Sequence, residues 1–190
     1  MIKSTKTYEE KLYQIAVEQA GYFTTAQAIK AGYKDSTHSY HIRTGGWIRE
    51  WRGIYRLARY PITEDSHYVL WSLWSCNRAG ISQGIFSHET ALVLFDLADV
   101  MPDKIHMILP CSFRRHSQIP KILVLHFGHI LPEEFEQREG YRVTKPIRTI
   151  LDLAISESVS ADIIRQAFRE GIQRGLITPS RLEFYLSNPT

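Results

Sequence analysis

Residues 22–59 read YFTTAQAIKAGYKDSTHSYHIRTGGWIREWRGIYRLAR, and the fold of the first third of the chain turns on them. Gly21 breaks a helix predicted over residues 5–19, in which Tyr8, Leu12, Ile15, Ala16 and Gln19 recur at helical spacing. Thr24 with Gln27 three residues on is the pattern of a reciprocal helix cap, and Gly32 closes the short helix whose apolar side is Ala28, Ile29 and Ala31. Asp35 or Ser36 caps a third helix that reaches about Thr44, where Gly45-Gly46 stops it. Trp47–Glu50 and Gly53–Leu57 then read as two strands joined by a tight turn around Trp51, Arg52 and Gly53. Three helices and a hairpin predict a winged helix-turn-helix domain over 1–61. A unit of about 55 residues is small for a free-standing core, so packing against the following segment is expected.

Charge is distributed unevenly. Residues 1–60 hold ten Lys/Arg against five Asp/Glu, whereas the remaining 130 hold thirteen against fifteen, so a whole-chain charge of +3 hides a basic head. That polarity suits an end that faces phosphate. The two cysteines, Cys76 and Cys111, offer neither a disulfide framework nor metal-ligand spacing, which points to a reducing compartment. The start, MIKSTKTYEEK, does not read as a signal peptide, and no apolar run is long enough to span a bilayer. A cytoplasmic protein is expected.

Pro61 marks the expected boundary to a second, α+β domain over 62–190, a small sheet flanked by helices. Helices are predicted over about 64–78 and from Ser87, the latter with Ala91, Leu92, Leu94 and Phe95 as its packing side. Strands follow at Ile105–Leu109, Ile122–Phe127 and Tyr141–Thr144. Ile147–Ala154 reads as a helix after Pro146, Ser160 caps another to about Arg174, and Thr178-Pro179 opens a last one.

In a winged helix the third helix enters the major groove and the hairpin reaches the backbone or the minor groove. Spacing from the inward Ile42 places His38 and His41 toward the core. The opposite face, Thr37, Ser39, Tyr40, Arg43 and Thr44, is then the candidate DNA-reading surface, with Arg43 suited to bidentate guanine contact and Ser36 at the helix start a candidate phosphate contact. Arg49, Arg52, Arg56 and Arg59 on and beyond the hairpin are candidate phosphate contacts. Trp47 is expected to plug the joint between helix and hairpin rather than to stack on bases. Arg114, Arg115 and His116 form a basic loop that either extends the DNA footprint or is simply solvated. His106, His116, His126, His129 and Cys111 invite a zinc reading, but no tight ligand motif supports it, and no metal or other cofactor is expected. Ser87-His88-Glu89 holds the residue types of a hydrolytic triad at positions too close to form one, so Ser87 is read as a cap and Glu89 as a first-turn acid. Asp152 lies in an apolar run and is expected to pair with Arg148, four residues earlier.

With FTTAQAIKAGY, RGIYRL, SHETAL and KPIRTILDLA in this order across about 22–177, the chain resembles the AbiEi family of type IV antitoxins and related winged-helix transcriptional regulators. His38 and His41 stand where relatives commonly carry leucine-like residues. The resemblance implies a sequence-specific, DNA-binding transcriptional repressor that autoregulates its own operon, as monomer or dimer on its promoter. It also implies an antitoxin role in a toxin–antitoxin system, against a nucleotidyltransferase-like toxin, with no direct complex required. Because no nuclease-like extension follows KPIRTILDLA, a non-enzymatic chain is expected. The alternatives are a protein-interaction module that does not bind DNA and a small nuclease built on the strands of 105–144, which would need converging carboxylates.

Overall fold

Thr24 and Gln27 make the reciprocal cap that their spacing predicts: the Thr24 hydroxyl accepts the Gln27 N–H at 3.2 Å and the Gln27 side chain accepts the Thr24 N–H at 2.8 Å. From this anchor the first part of the chain can be traced. The computed structural model describes residues 5–115 and 118–178. They form a mixed α+β protein in which helices flank two small sheets, divided into two units: Met1–Gln83 with Arg138–Tyr141, and Gly84–Gln137 with Arg142–Thr190.

In the first unit α1 (Thr5–Val17), β1 (Tyr22–Thr24), α2 (Thr25–Ala31) and α3 (His38–Arg43) precede the hairpin β2 (Trp47–Trp51) and β3 (Ile54–Leu57). The sheet is antiparallel in the order β1-β3-β2, with an irregularity between Arg49 and Trp51. Strand β1 was not expected, because three residues show no periodicity. Neither Asp35 nor Ser36 caps α3 through its side chain; a 3-10 turn over Asp35–Thr37 leads into it instead. Leu12, Ala16, Phe23, Ala28, Ala31, Trp47 and Tyr55 form the core. Trp47 is 4% exposed and meets Phe23 edge-on at 4.8 Å, which confirms its packing role. Burying a side chain of this size stabilises by roughly 1.5–3 kcal/mol.

The unit runs past Pro61 to include α4 (Ser66–Trp74). The small core gains area from this helix, as its size requires: Trp71 of α4 meets Trp51 edge-on at 5.4 Å. Hydroxyls of Ser72 and Ser75 bond to Ser82 at 2.9 and 3.1 Å, holding the loop that follows α4.

The second unit is built on a sheet ordered β6-β5-β4-β8-β7, where β4 is Ile85–Phe86, β5 Ile105–Leu109, β6 Leu123–Phe127, β7 Phe135–Arg138 and β8 Tyr141–Thr144. Three of its strands follow the expected runs. Strands β4 and β7 do not, being short or polar. Strands β5 and β6 are parallel, so the chain between them must cross over, which accounts for the long loop after Leu109. Helices α5 (His88–Phe95), α6 (Pro146–Ser156) and α7 (Ala161–Gln173) complete the unit. Ser160 caps α7 by accepting the Ile163 N–H, and Pro146 occupies the first turn of α6. Phe86, Leu92, Leu97, Met107, Leu109, Val143 and Leu153 are fully buried. The helix expected from Thr178-Pro179 lies, from Pro179 on, outside the described residues. Among the described residues no helix is long and apolar enough to cross a membrane, and Cys76 and Cys111 form no disulfide.

Candidate metal centre

Alternation along a strand puts His106 and Ile108 of β5 on one face of the sheet. The parallel register sets His126 of β6 opposite Ile108, so the two histidines share that face. On the other flank of β5, the Ser87 N–H donates to the His106 carbonyl at 3.1 Å, and the chain then turns over into α5 at His88. His88 makes that turn with φ +52°, a left-handed conformation that costs a non-glycine residue about 1–3 kcal/mol and recurs at functional sites. The product is a cluster in which His88, His106 and His126 each offer a ligand atom within 4.8 Å of the others.

The cluster is held from several sides. The His88 and His126 rings stack 3.7 Å apart, 9° from parallel. His106 Nδ1 lies 3.2 Å from His126 Nε2, and His88 Nδ1 lies 2.9 Å from the Ser87 hydroxyl. The His106 N–H donates to the Thr90 hydroxyl at 2.8 Å. Burial lowers the pKa of all three rings, with His88 pushed down to about 3 by desolvation and then by the neighbouring His126 and His106. Three neutral imidazoles are the form that binds a metal.

Carboxylates border the cluster. Glu89 Oε2 is 3.0 Å from His106 Nδ1 but out of line for a hydrogen bond, so this buried oxygen has no donor. A cavity of about 220 Å³ opens beside His88 and His126, walled also by Arg148 and Asp152. The expected Arg148–Asp152 pair forms, Nε to Oδ1 at 2.8 Å, and Glu134 joins it through Arg148 Nη1 at 2.8 Å. Asp152 Oδ2 is buried without a partner, and desolvation raises this carboxyl to about 6 against the pull of Arg148.

These residues fit a divalent transition metal. Imidazole nitrogen suits zinc, and three protein ligands with a vacant fourth position are the pattern of catalytic zinc sites. A tetrahedral site with zinc–nitrogen bonds of 2.0–2.1 Å needs nitrogens about 3.3 Å apart, and because a metal lies in the plane of each imidazole that ligates it, the stacked His88 and His126 rings must turn out of their parallel arrangement to share one ion. A cation would also meet the need of Glu89 Oε2. Metal-ligating histidines commonly carry a carboxylate, carbonyl or water on the other nitrogen; the Ser87 hydroxyl sits on His88 Nδ1, whereas Glu89 borders the same His106 Nδ1 that approaches His126.

The histidines that the sequence suggested grouping do not all meet. His106 and His126 join the cluster; His129 and Cys111 are exposed and stand outside it, and His116 lies outside the described residues. His88 was the ligand missed. It was read past because Ser87 looked like a cap, yet the Ser87 hydroxyl makes no capping bond and turns to His88.

Of the residues expected to face DNA, Ser36, Ser39, Tyr40, Arg43, Thr44, Arg49, Arg52 and Arg59 are exposed and Thr37 is half-buried. The hydroxyls of Thr37 and Thr44 donate to their own backbone, at 2.7 Å to Lys34 and 3.0 Å to Tyr40. Arg56 is corrected outright: it is buried, paired with Glu50 at 2.8 Å, and cannot reach a phosphate. Arg114 donates to the carbonyls of Cys111 and Phe113 within its own loop, and Arg115 is half-buried. His38 is buried and His41 half-buried, as their spacing from Ile42 predicts.

No family profile matches the chain, and no curated protein matches it. Among solved structures it is similar to the RV2827C protein from Mycobacterium tuberculosis, at 14% identity and a TM-score of 0.60, over 96% of this chain and 72% of that one. At that identity the likeness is one of fold. The expectation of a non-enzymatic DNA-binding repressor with an antitoxin role is overturned by the buried three-histidine cluster, which gives the second unit the makings of a catalytic metal site. Duplex DNA and a toxin as partners, and transcription regulation as the role, likewise find no support in these comparisons. What the comparisons establish is a mixed α+β fold shared with the mycobacterial protein.

Proposed function

We propose that the second unit holds a divalent transition metal, zinc by the chemistry of its ligands, on His88, His106 and His126, and uses it for hydrolysis. The observation that carries this reading is the convergence of three desolvated imidazoles beside a cavity whose wall presents an unpartnered carboxylate oxygen, Asp152 Oδ2. A metal in such a position lowers the pKa of bound water to about 7. Asp152, whose Oδ2 lies unpartnered and which lines the cavity, would accept a proton from water activated there, and Glu89 beside His106 would help orient that ring. Of the expectations drawn from sequence, the small-nuclease alternative is the nearer one, although it called for converging carboxylates rather than histidines.

The first unit supports a winged-helix reading through its three helices and its β1-β3-β2 sheet. The kinship with the AbiEi family is retained as a proposal about fold and descent, supported by the ordered motifs.

The test is hydrolysis of p-nitrophenyl acetate and bis-p-nitrophenyl phosphate by the full chain, zinc-loaded and chelated. Zinc-dependent turnover that falls by about 100-fold or more in Asp152→Asn is expected, the scale of a lost general base. Turnover unchanged by chelation, or none with either substrate in protein shown to hold zinc, would overturn the hydrolytic reading.

A further inference from the structure

The first unit contains a larger cavity, about 720 Å³, bounded by α1, the end of α3, Gly45-Gly46 and the segment after β3. That volume is within the range of small-molecule sites, about 300–1,000 Å³. One wall is aromatic and fixed in place: half-buried Tyr33 and His41 line it, packed on Trp47, which is itself only 4% exposed. His41 stacks on Trp47 at 4.7 Å, and Tyr33 meets both rings edge-on at 5.0 Å. Because Trp47 is itself core, these rings are already ordered before anything binds, so a flat ligand against them loses little to side-chain ordering. Two opposite charges also line the cavity, Glu9 from α1 and Arg59 beyond β3. Neither is in an ion pair among the described residues, and both are exposed. Gly45, also on the lining, leaves open space: a Cβ built there meets nothing within 4 Å.

An aromatic wall with one unpaired acid and one unpaired guanidinium fits a particular kind of molecule. We infer that this cavity binds a planar heteroaromatic ring that carries ring N–H donors and an acidic substituent, the chemistry of a purine nucleoside monophosphate. The ring lies against Tyr33 and His41, its N–H donors bond to Glu9, and its phosphate meets the Arg59 fork. The site is separate from the metal centre and does not depend on it.

Isothermal titration of the full chain with guanosine 5′-monophosphate tests this, alongside guanosine and inorganic phosphate, with the Trp47 indole N–H followed by NMR. The monophosphate should bind one per chain, shift the Trp47 signal, and bind about tenfold more tightly than guanosine. Arg59→Ala, an exposed position that leaves the core intact, should erase that tenfold preference and leave guanosine binding unchanged. Glu9→Gln should weaken guanosine and its monophosphate alike. No Trp47 shift at saturating ligand would overturn the proposal. So would full competition by phosphate alone, or an Arg59→Ala effect equal for guanosine and its monophosphate.

Discussion

The His88 ring lies flat on the His126 ring, 3.7 Å away and 9° from parallel. Two imidazolium ions cannot share that spacing, since like charges at such separation repel strongly once water is excluded. The pair therefore persists as neutral rings, whose lone pairs are available to a bound cation.

The neutral rings make the metal-free protein acid-sensitive. Unfolded, His88 takes up a proton below about pH 6.5; folded, it does so only near 3. Acidification from pH 7 to 5 thus favours the unfolded chain, by about 1.4 kcal/mol for each pH unit below 6.5, or about 2 kcal/mol from His88 alone. His38, His106 and His126, also lowered by burial, act in the same direction. Asp152 opposes them: its folded value of about 6 against 3.8 adds stability as pH falls through that window. Four imidazoles outweigh one carboxyl. Urea titrations of chelated protein should show a clear fall in midpoint from pH 7 to 5; a constant or rising midpoint would refute the neutral-ring picture.

Arg148 is the hub of a buried ionic group, bonded to Asp152 and to Glu134, which is 1% exposed. Glu134 also accepts the Leu131 N–H at 2.7 Å, so it is fixed in place. Arg148→Ala strands two buried carboxylates and should cost about 3–5 kcal/mol. Asp152→Asn keeps an acceptor for the Arg148 Nε and should cost distinctly less. Equal losses in equilibrium unfolding would mean that Glu134 does not depend on Arg148.

Gly32 ends α2 at φ +117°, and a Cβ there would lie 2.4 Å from the Tyr8 ring. Gly32→Ala therefore combines backbone strain with overpacking and should destabilise by on the order of 2–4 kcal/mol. A thermal unfolding midpoint within a degree or two of the parent would show that α1 yields freely.

The first unit was largely legible because its signals are local. Thr24, Gln27, Gly32 and Gly45 punctuate the chain within a few residues of what they control, and Trp47 is bulky enough to declare its burial. The Arg148–Asp152 pair was legible for the same reason, a four-residue spacing on one helix. Glu134 was not, since it reaches Arg148 from a 3-10 turn fourteen residues away. The three-histidine cluster was illegible in a deeper sense. Its members come from the start of a helix and two strands, and they meet only through the β5–β6 register and a left-handed turn at His88. No spacing rule encodes either. The serine before His88 resembled a cap, and that local reading concealed its bond to the histidine. Arg56 failed similarly: its position in the hairpin suggested phosphate contact, while its cross-strand neighbourhood supplied Glu50.

Stoichiometric metal binding tests the central claim most directly. Protein stripped with a chelator and titrated calorimetrically with zinc should take up one ion per chain, at micromolar affinity or tighter, about −8 kcal/mol. His88→Ala, His106→Ala and His126→Ala should each weaken binding by about 100-fold or more, a loss of about 2.8 kcal/mol. His67→Ala and His129→Ala, both at exposed positions, should change nothing. Absence of saturable binding by the folded parent, or binding that survives removal of two of the three clustered histidines, would contradict the account.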